Sequence, residues 1–141
     1  MPQHSLSEVY LHFVWSTYRR MPVLEEAIQP QIYAAILKEV QRSGCSALAV
    51  GGVEDHVHVV VQMSPKISAS ALAKRMKGVT SYLARRELGQ GRSFRWQTGY
   101  GVFSFSRSHR ERVIGYVRGQ KQHHSRGDVW RRWEQTETEA Q

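Results

Sequence analysis

Cysteine is almost absent from this chain. Cys45 is the only one in 141 residues, which excludes an internal disulfide framework and any zinc site built from several thiolates. No apolar run approaches the ~20 residues a membrane-spanning helix needs, and the N-terminus carries no charged-then-apolar leader. A cytoplasmic location and an ordinary buried thiol at Cys45 are the expectations that follow. Acidic residues are also scarce, 12 Asp and Glu against 20 Lys and Arg, for a net charge of +8 and a pI near 10.1. Such an excess points to a polyanionic partner, nucleic acid being the commonest; a merely basic surface is the alternative. Hydrophobic residues make up 40% of the chain, enough for one real core, and the length suits a single domain over residues 1–141. From Ser125 onward the sequence turns polar and charged apart from Trp130 and Trp133, as a tail would.

No internal repeat or long linker interrupts the pattern of elements. "EVYLHFVWST", residues 8–17, is rich in aromatic and β-branched residues and predicts a strand. Between residues 25 and 43, Ile28, Ile32, Ala35, Ile36 and Val40 recur at helical spacing, and Gly44 supplies a stop. "CSALAVGGVE" and "HVHVVVQM" predict two further strands. Ser68 opens a second helix whose apolar stripe is Ala71, Leu72, Met76, Val79 and Leu83. "FRWQTGYGVFSFS", residues 94–106, predicts a fourth strand, with a bulge or close backbone approach at Gly99 and Gly101. A third helix, "HRERVIGYVRGQKQ", has Ser108 and Glu111 at capping-box spacing. The order β-α-β-β-α-β predicts an α+β, ferredoxin-like antiparallel sheet with two helices on one face, plus an extra C-terminal helix.

One stretch demands a chemical reading. In "EDHVHVVVQM", residues 54–63, His56 and His58 stand two apart on a strand and project to the same face. Two neutral imidazoles side by side can ligate one divalent ion, or the pair can merely cap a strand end. Two ligands rarely hold a catalytic ion, so a third is needed. In "YVRGQ", Tyr116 and Gln120 are four apart and share one helix face. The Gln120 amide oxygen would complete a His, His, Gln set, a nitrogen and oxygen site suited to magnesium or manganese rather than structural zinc. The same face would bring the Tyr116 phenol to the site, as a nucleophile or as a packing residue.

These motifs together resemble the HUH-type single-tyrosine transposases of very small bacterial insertion sequences. The resemblance runs from "LHFVWSTYRRMPVL" through "GGVEDHVHVVV", "ALAKRMKGVTSYL" and "WQTGYGVFSFS" to "IGYVRGQKQHH". The histidine–hydrophobic–histidine signature falls on His56-Val57-His58, the catalytic tyrosine on Tyr116 and the metal-binding glutamine on Gln120. The resemblance implies that the tyrosine attacks a phosphodiester of single-stranded DNA, forming a covalent 5′-phosphotyrosine and freeing a 3′-hydroxyl. It also implies recognition of DNA hairpins at element ends, and an obligate homodimer whose tyrosine helix serves the histidine pair of the neighbouring subunit.

Around this core, Asp55 is expected to orient an imidazole from behind or simply to enter the strand. His12 is expected to be structural, and His123 and His124 to line DNA or solvent. Arg19, Arg20, Lys74, Arg75, Lys77, Arg85 and Arg86 are candidates for phosphate contacts, with Tyr18 or Trp96 stacking a base. A domesticated relative acting on repetitive palindromic DNA is the nearest rival. Such proteins commonly carry asparagine-proline soon after the tyrosine, whereas this chain reads "YVRGQKQHH". A non-catalytic RNA-recognition-type module would need exposed aromatics on the middle strands, and "HVHVVVQM" has none.

Overall fold

The structure, a computed structural model, describes residues 5–127 and Glu134. Four strands, β1 (Val9–Ser16), β2 (Ser46–Val53), β3 (His56–Met63) and β4 (Gly101–Phe105), form one antiparallel sheet in the order β2-β3-β1-β4. Helices α1 (Gln29–Arg42) and α2 (Ala69–Arg86) join the two halves of the β-α-β-β-α-β path. Two short helices, α3 (Arg110–Arg118) and α4 (Gln120–Arg126), follow β4. This is the α+β ferredoxin-like plan expected from the element order.

Strand alternation sorts the core into two layers. Phe13 and Trp15 of β1 and Val57, Val59 and Val61 of β3 point to one face, where Ile32, Ile36 and Val40 of α1 and Leu72 and Met76 of α2 bury them. Val60 points to the opposite face and packs with Val113, Ile114, Tyr116 and Val117 of α3. His56 and His58 share the parity of Val60, so the sheet delivers both to the α3 side.

Several boundaries depart from the sequence expectations, each for a local reason. Helix α1 starts at Gln29 rather than near residue 25, because Pro30 fits only the first turn, where its missing N–H is not needed. Helix α2 begins as expected, with the Ser68 hydroxyl accepting from the Ala71 amide at 3.1 Å. The fourth strand is shorter than residues 94–106. Lys77 Nζ collects the carbonyls of Gln97, Thr98 and Gly99 at 2.7, 3.0 and 2.9 Å, so these groups turn toward α2 and away from a strand ladder. An isolated bridge, Thr17 to Trp96, and hydrogen bonds between Ser16 and Gln97 hold that segment beside the end of β1 without extending the ladder. The capping box at Ser108 does not form either. Residues 107–109 make a 3-10 turn, α3 starts at Arg110, and the Ser108 hydroxyl pairs with Ser106 and His109 side chains.

Candidate active site

The third predicted helix breaks at Gly119, so Tyr116 lies on α3 and Gln120 opens α4. The two residues still meet. Gln120 Nε2 donates to the Tyr116 carbonyl at 3.3 Å, and both side chains are buried over β3. The Tyr116 ring stands edge-on to His58 with centroids 5.9 Å apart, and His123 stacks on its other side at 4.8 Å. Helix α3 can approach this closely because β2 offers a glycine beneath it. A Cβ on Gly51 would overlap the Val117 carbonyl oxygen and lie 3.1 Å from its carbon.

His56 and His58 lie side by side, centroids 5.1 Å apart, and each ring is held from behind through Nδ1. Asp55 Oδ1 accepts from His56 Nδ1 at 2.7 Å, the partnership considered for Asp55 from sequence. His58 Nδ1 meets His12 Nε2 at 2.8 Å, so His12, read from sequence as a structural histidine, in fact touches the site. Its position follows from register: His12 pairs with Val60 on β1, the same face as His58 and two residues along.

The opposite ring nitrogens converge on Glu134. Its Oε2 accepts from His56 Nε2 at 2.9 Å and from His58 Nε2 at 3.0 Å, while its Oε1 accepts from the Tyr116 hydroxyl. Gln120 Oε1 lies 3.3 Å from His56 Nε2 and accepts from His124 Nε2 at 3.1 Å. His124, expected to face DNA or solvent, therefore belongs to the cluster. The break at Gly119 starts a new helix at Gln120, and a spacing of four then puts His124 on the same face. Glu134 was missed altogether, since it sits in the polar tail; Trp130 and Trp133 of that tail lie outside the described residues.

Electrostatics bind this cluster together. Burial works against a charged His56, but hydrogen bonds to Asp55 and Glu134 and their charges outweigh it and lift the imidazole to about 9. His58 goes the other way, because burial dominates the pull of Glu134. Neutral His58 must then donate through Nε2 to the carboxylate, leaving Nδ1 to accept from His12. Burial, reinforced by His58, lowers His12 to about 3 and keeps it neutral. Asp55 is held below its usual value chiefly by the His56 hydrogen bond. For Glu134, burial alone would raise the carboxyl, yet hydrogen bonds from His56 and His58 hold it well below the ordinary carboxylate range.

The donor set fits a divalent cation. His56 Nε2 lies 3.3 Å from the Gln120 amide oxygen and 2.9 Å from Glu134 Oε2, His58 Nε2 lies 3.0 Å from the same carboxylate oxygen, and ligand atoms of His56, His124 and Glu134 lie within 4.8 Å of one another. Mixed nitrogen and oxygen donors of this kind suit magnesium or manganese.

The predicted DNA contacts divide by position. Arg19 and Arg20 both adopt left-handed backbone conformations, φ 53° each, in the turn after β1. That turn sets Arg20 beside the site, 3.9 Å from Asp55 and 3.4 Å from the Glu134 carbonyl. Tyr18 lies between the guanidiniums of Arg19 and Arg95, at 5.2 and 4.3 Å. Lys74, Arg75, Lys77, Arg85 and Arg86 ride on α2, across the sheet from the histidines. Of these, Lys77 holds its three carbonyls, Arg85 Nε donates to the Phe94 carbonyl at 2.8 Å, and Arg75 reaches Ser43 at 3.2 Å. Trp96 is no stacking platform. It is buried edge-on against Trp15 and Phe94, and its Nε1 donates to Thr80.

A cleft of about 550 Å³ adjoins the cluster between Tyr33, Gly51, Gly52 and Gly119, with Arg118 and Lys121 in its lining. The connection from β4 through α3 folds directly back over β2 and β3, which carries Tyr116 to its own histidines.

With this geometry in place, comparison with known proteins is decisive at the level of family. The family described as Transposase IS200 like matches residues 5–120, and the chain belongs to it. No curated protein sequence matches. Among solved structures, a transposase candidate from Deinococcus radiodurans R1 is similar at 19% identity and a TM-score of 0.65, over 83% of this chain and 94% of that one. A REP-associated tyrosine transposase bound to a REP hairpin is similar at 13% identity and a TM-score of 0.64, over 92% of this chain and 76% of that one. At these identities the likeness establishes a shared fold. Among the described residues no helix is long and apolar enough to cross a membrane.

Proposed function

We propose that the protein cuts and rejoins single-stranded DNA by transesterification through a covalent 5′-phosphotyrosine on Tyr116. The observation that carries this reading is the meeting of the Tyr116 hydroxyl with His56 and His58 Nε2 at a single carboxylate. The nucleophile and the anion-handling groups thus lie within one small space, in a chain of the transposase family.

His56, His58 and Gln120 would hold a magnesium or manganese ion, with Asp55 and His12 bracing the two imidazoles from behind. When bound, that ion polarises the scissile phosphate and offsets charge in the transition state. The Tyr116 oxygen attacks phosphorus, its proton leaves the phenol, and the bond to the 3′-oxygen breaks to give a 3′-hydroxyl. Because the phosphotyrosine is itself a phosphodiester, a second 3′-hydroxyl can reverse the step without an external energy source. Burial of Tyr116, which is 2% exposed, limits access by water that would hydrolyse the adduct.

The substrate is a single strand folded into hairpins near its ends. Arg19, Arg20, Lys74, Arg75, Arg85 and Arg86 are the candidate phosphate contacts that lie at the surface, and the strand would reach Tyr116 along the cleft lined by Arg118 and Lys121. The working form is a homodimer. Light scattering at micromolar concentration checks this, and a monomer there speaks against it. Each protomer would use its own tyrosine, in keeping with the path of α3.

The decisive experiment incubates the protein with labelled single-stranded DNA from its own locus and manganese or magnesium, then resolves adducts on a denaturing gel. A protein–DNA adduct should form, and should vanish in Tyr116→Phe and His56→Ala. An adduct that survives Tyr116→Phe refutes the assignment.

A further inference from the structure

Glu134 lies beyond residues 5–120, so the family match gives it no role. Yet it is the most connected residue of the cluster. One oxygen joins His56 Nε2 and His58 Nε2 at 2.9 and 3.0 Å; the other joins the Tyr116 hydroxyl and lies 3.4 Å from His124 Nε2. Its backbone is tethered separately, the carbonyl accepting from Arg20 Nη2 at 3.4 Å. That same guanidinium stands 3.9 Å from Asp55, which braces His56. Side chain and main chain are thus anchored to different parts of one site.

Charge decides what this carboxylate is suited to do. Two neutral imidazoles and an amide leave a divalent ion with both of its positive charges in a buried space. Hard ions of the magnesium and manganese class take oxygen ligands, carboxylates foremost. Asp55 is turned to the far side of His56, at Nδ1, so among the described residues Glu134 is the anionic oxygen donor facing the Nε2 atoms. With it a loaded site keeps a single net positive charge, which still attracts a phosphodiester.

We propose that Glu134 is a further ligand of the divalent cation held by His56, His58 and Gln120, and that its second oxygen fixes the Tyr116 hydroxyl at the edge of that site. The proposal rests on the function given above. It makes Glu134 the residue that couples nucleophile to cation.

Isothermal titration of Mn²⁺ into the full-length protein without DNA tests it, with thermal unfolding of each metal-free variant alongside. Glu134→Gln, which keeps the shape and removes the charge, should weaken Mn²⁺ binding at least ~10-fold. Glu134→Asp should fall between the two, and Tyr116→Phe should leave the affinity unchanged. Unchanged binding in a folded Glu134→Gln variant overturns the proposal. Tighter binding overturns it as well, since the carboxylate would then only fill the place of an incoming ion. Electron paramagnetic resonance of bound Mn²⁺ gives a second readout, and an identical spectrum in Glu134→Gln at saturation counts as the same refutation. Wild-type Mn²⁺ binding without a DNA adduct sinks the strand-transfer reading and leaves the ligand assignment standing. An adduct together with unchanged Glu134→Gln affinity sinks the ligand assignment alone.

Discussion

Gly51→Ala tests how tightly the position of Tyr116 is set. Gly51 pairs with His58 across β2 and β3 and lies directly under the C-terminal turn of α3. An added Cβ would fall on the Val117 carbonyl oxygen and 3.1 Å from its carbon, both backbone atoms that no rotamer change can move. Restoring a normal contact needs a shift of α3 by roughly 1 Å, given that non-bonded carbons settle near 3.5–4.0 Å. Such overpacking typically costs about 1–3 kcal/mol. Tyr116 sits one residue from Val117, so the hydroxyl moves with the helix, and misplacement by about 1 Å lowers rates by roughly 100-fold. The expected result is a lower melting temperature together with an adduct rate about two orders of magnitude down at saturating Mn²⁺. Gly115→Ala on the same helix is the control, because a Cβ there meets nothing within 4 Å. It should leave the rate alone and stabilise by up to ~1 kcal/mol through helix propensity. A Gly51→Ala protein with wild-type stability and adduct rate would refute the argument, and the stability half stands independently of the proposed reaction.

Three further outcomes follow from side-chain chemistry away from the cluster. Tyr33 buries a hydroxyl with no hydrogen-bond partner among the described residues, and burial, aided by the Glu54 charge, raises its ionisation above the usual phenol value of 10. A raised phenol favours the neutral fold, so this contribution is intact below pH 10 and fades as pH climbs toward the folded value. Denaturant titrations should show Tyr33→Phe as stable as wild type or more so at pH 8, with a smaller loss at pH 11; an equal loss in both proteins contradicts this. Lys77→Met should lower stability by about 1–3 kcal/mol through three orphaned carbonyls, without changing the salt dependence of DNA binding. A flattened salt slope in a folded Lys77→Met variant would mean that the ammonium contacts phosphate instead. Ser68→Ala should cost about 1 kcal/mol by uncapping α2, read from the urea midpoint, and no midpoint shift would show the cap to be idle.

How much was legible beforehand can be seen strand by strand. "HVHVVVQM" spans β3 end to end, and its alternation alone places His56 and His58 on one face. The order of elements likewise led to the ferredoxin-like antiparallel plan, because a β-α-β-β-α-β path has few ways to close. Errors arose where a local pattern met a competing tertiary partner. Phe94 and Trp96 read as strand residues, but they fill the core beneath α2, where the Lys77 ammonium takes the neighbouring carbonyls. Ser108 and Glu111 have capping-box spacing, yet a 3-10 turn over residues 107–109 displaces the helix start to Arg110.

The candidate site divides along the same line. By itself the sequence determined the parity of the histidine pair, the spacing of Tyr116 and Gln120, the Asp55 neighbour and the cationic surplus, all properties of short stretches or of composition. Only the tertiary structure decided that His12, 46 residues from His58, braces it, and that Glu134, 76 residues away, closes the cluster. It also decided that α3 returns to its own sheet. The reason is physical: periodicity fixes which way a side chain points, whereas which distant group it meets depends on strand register, a glycine under a helix and a break at Gly119, none of which a local pattern encodes.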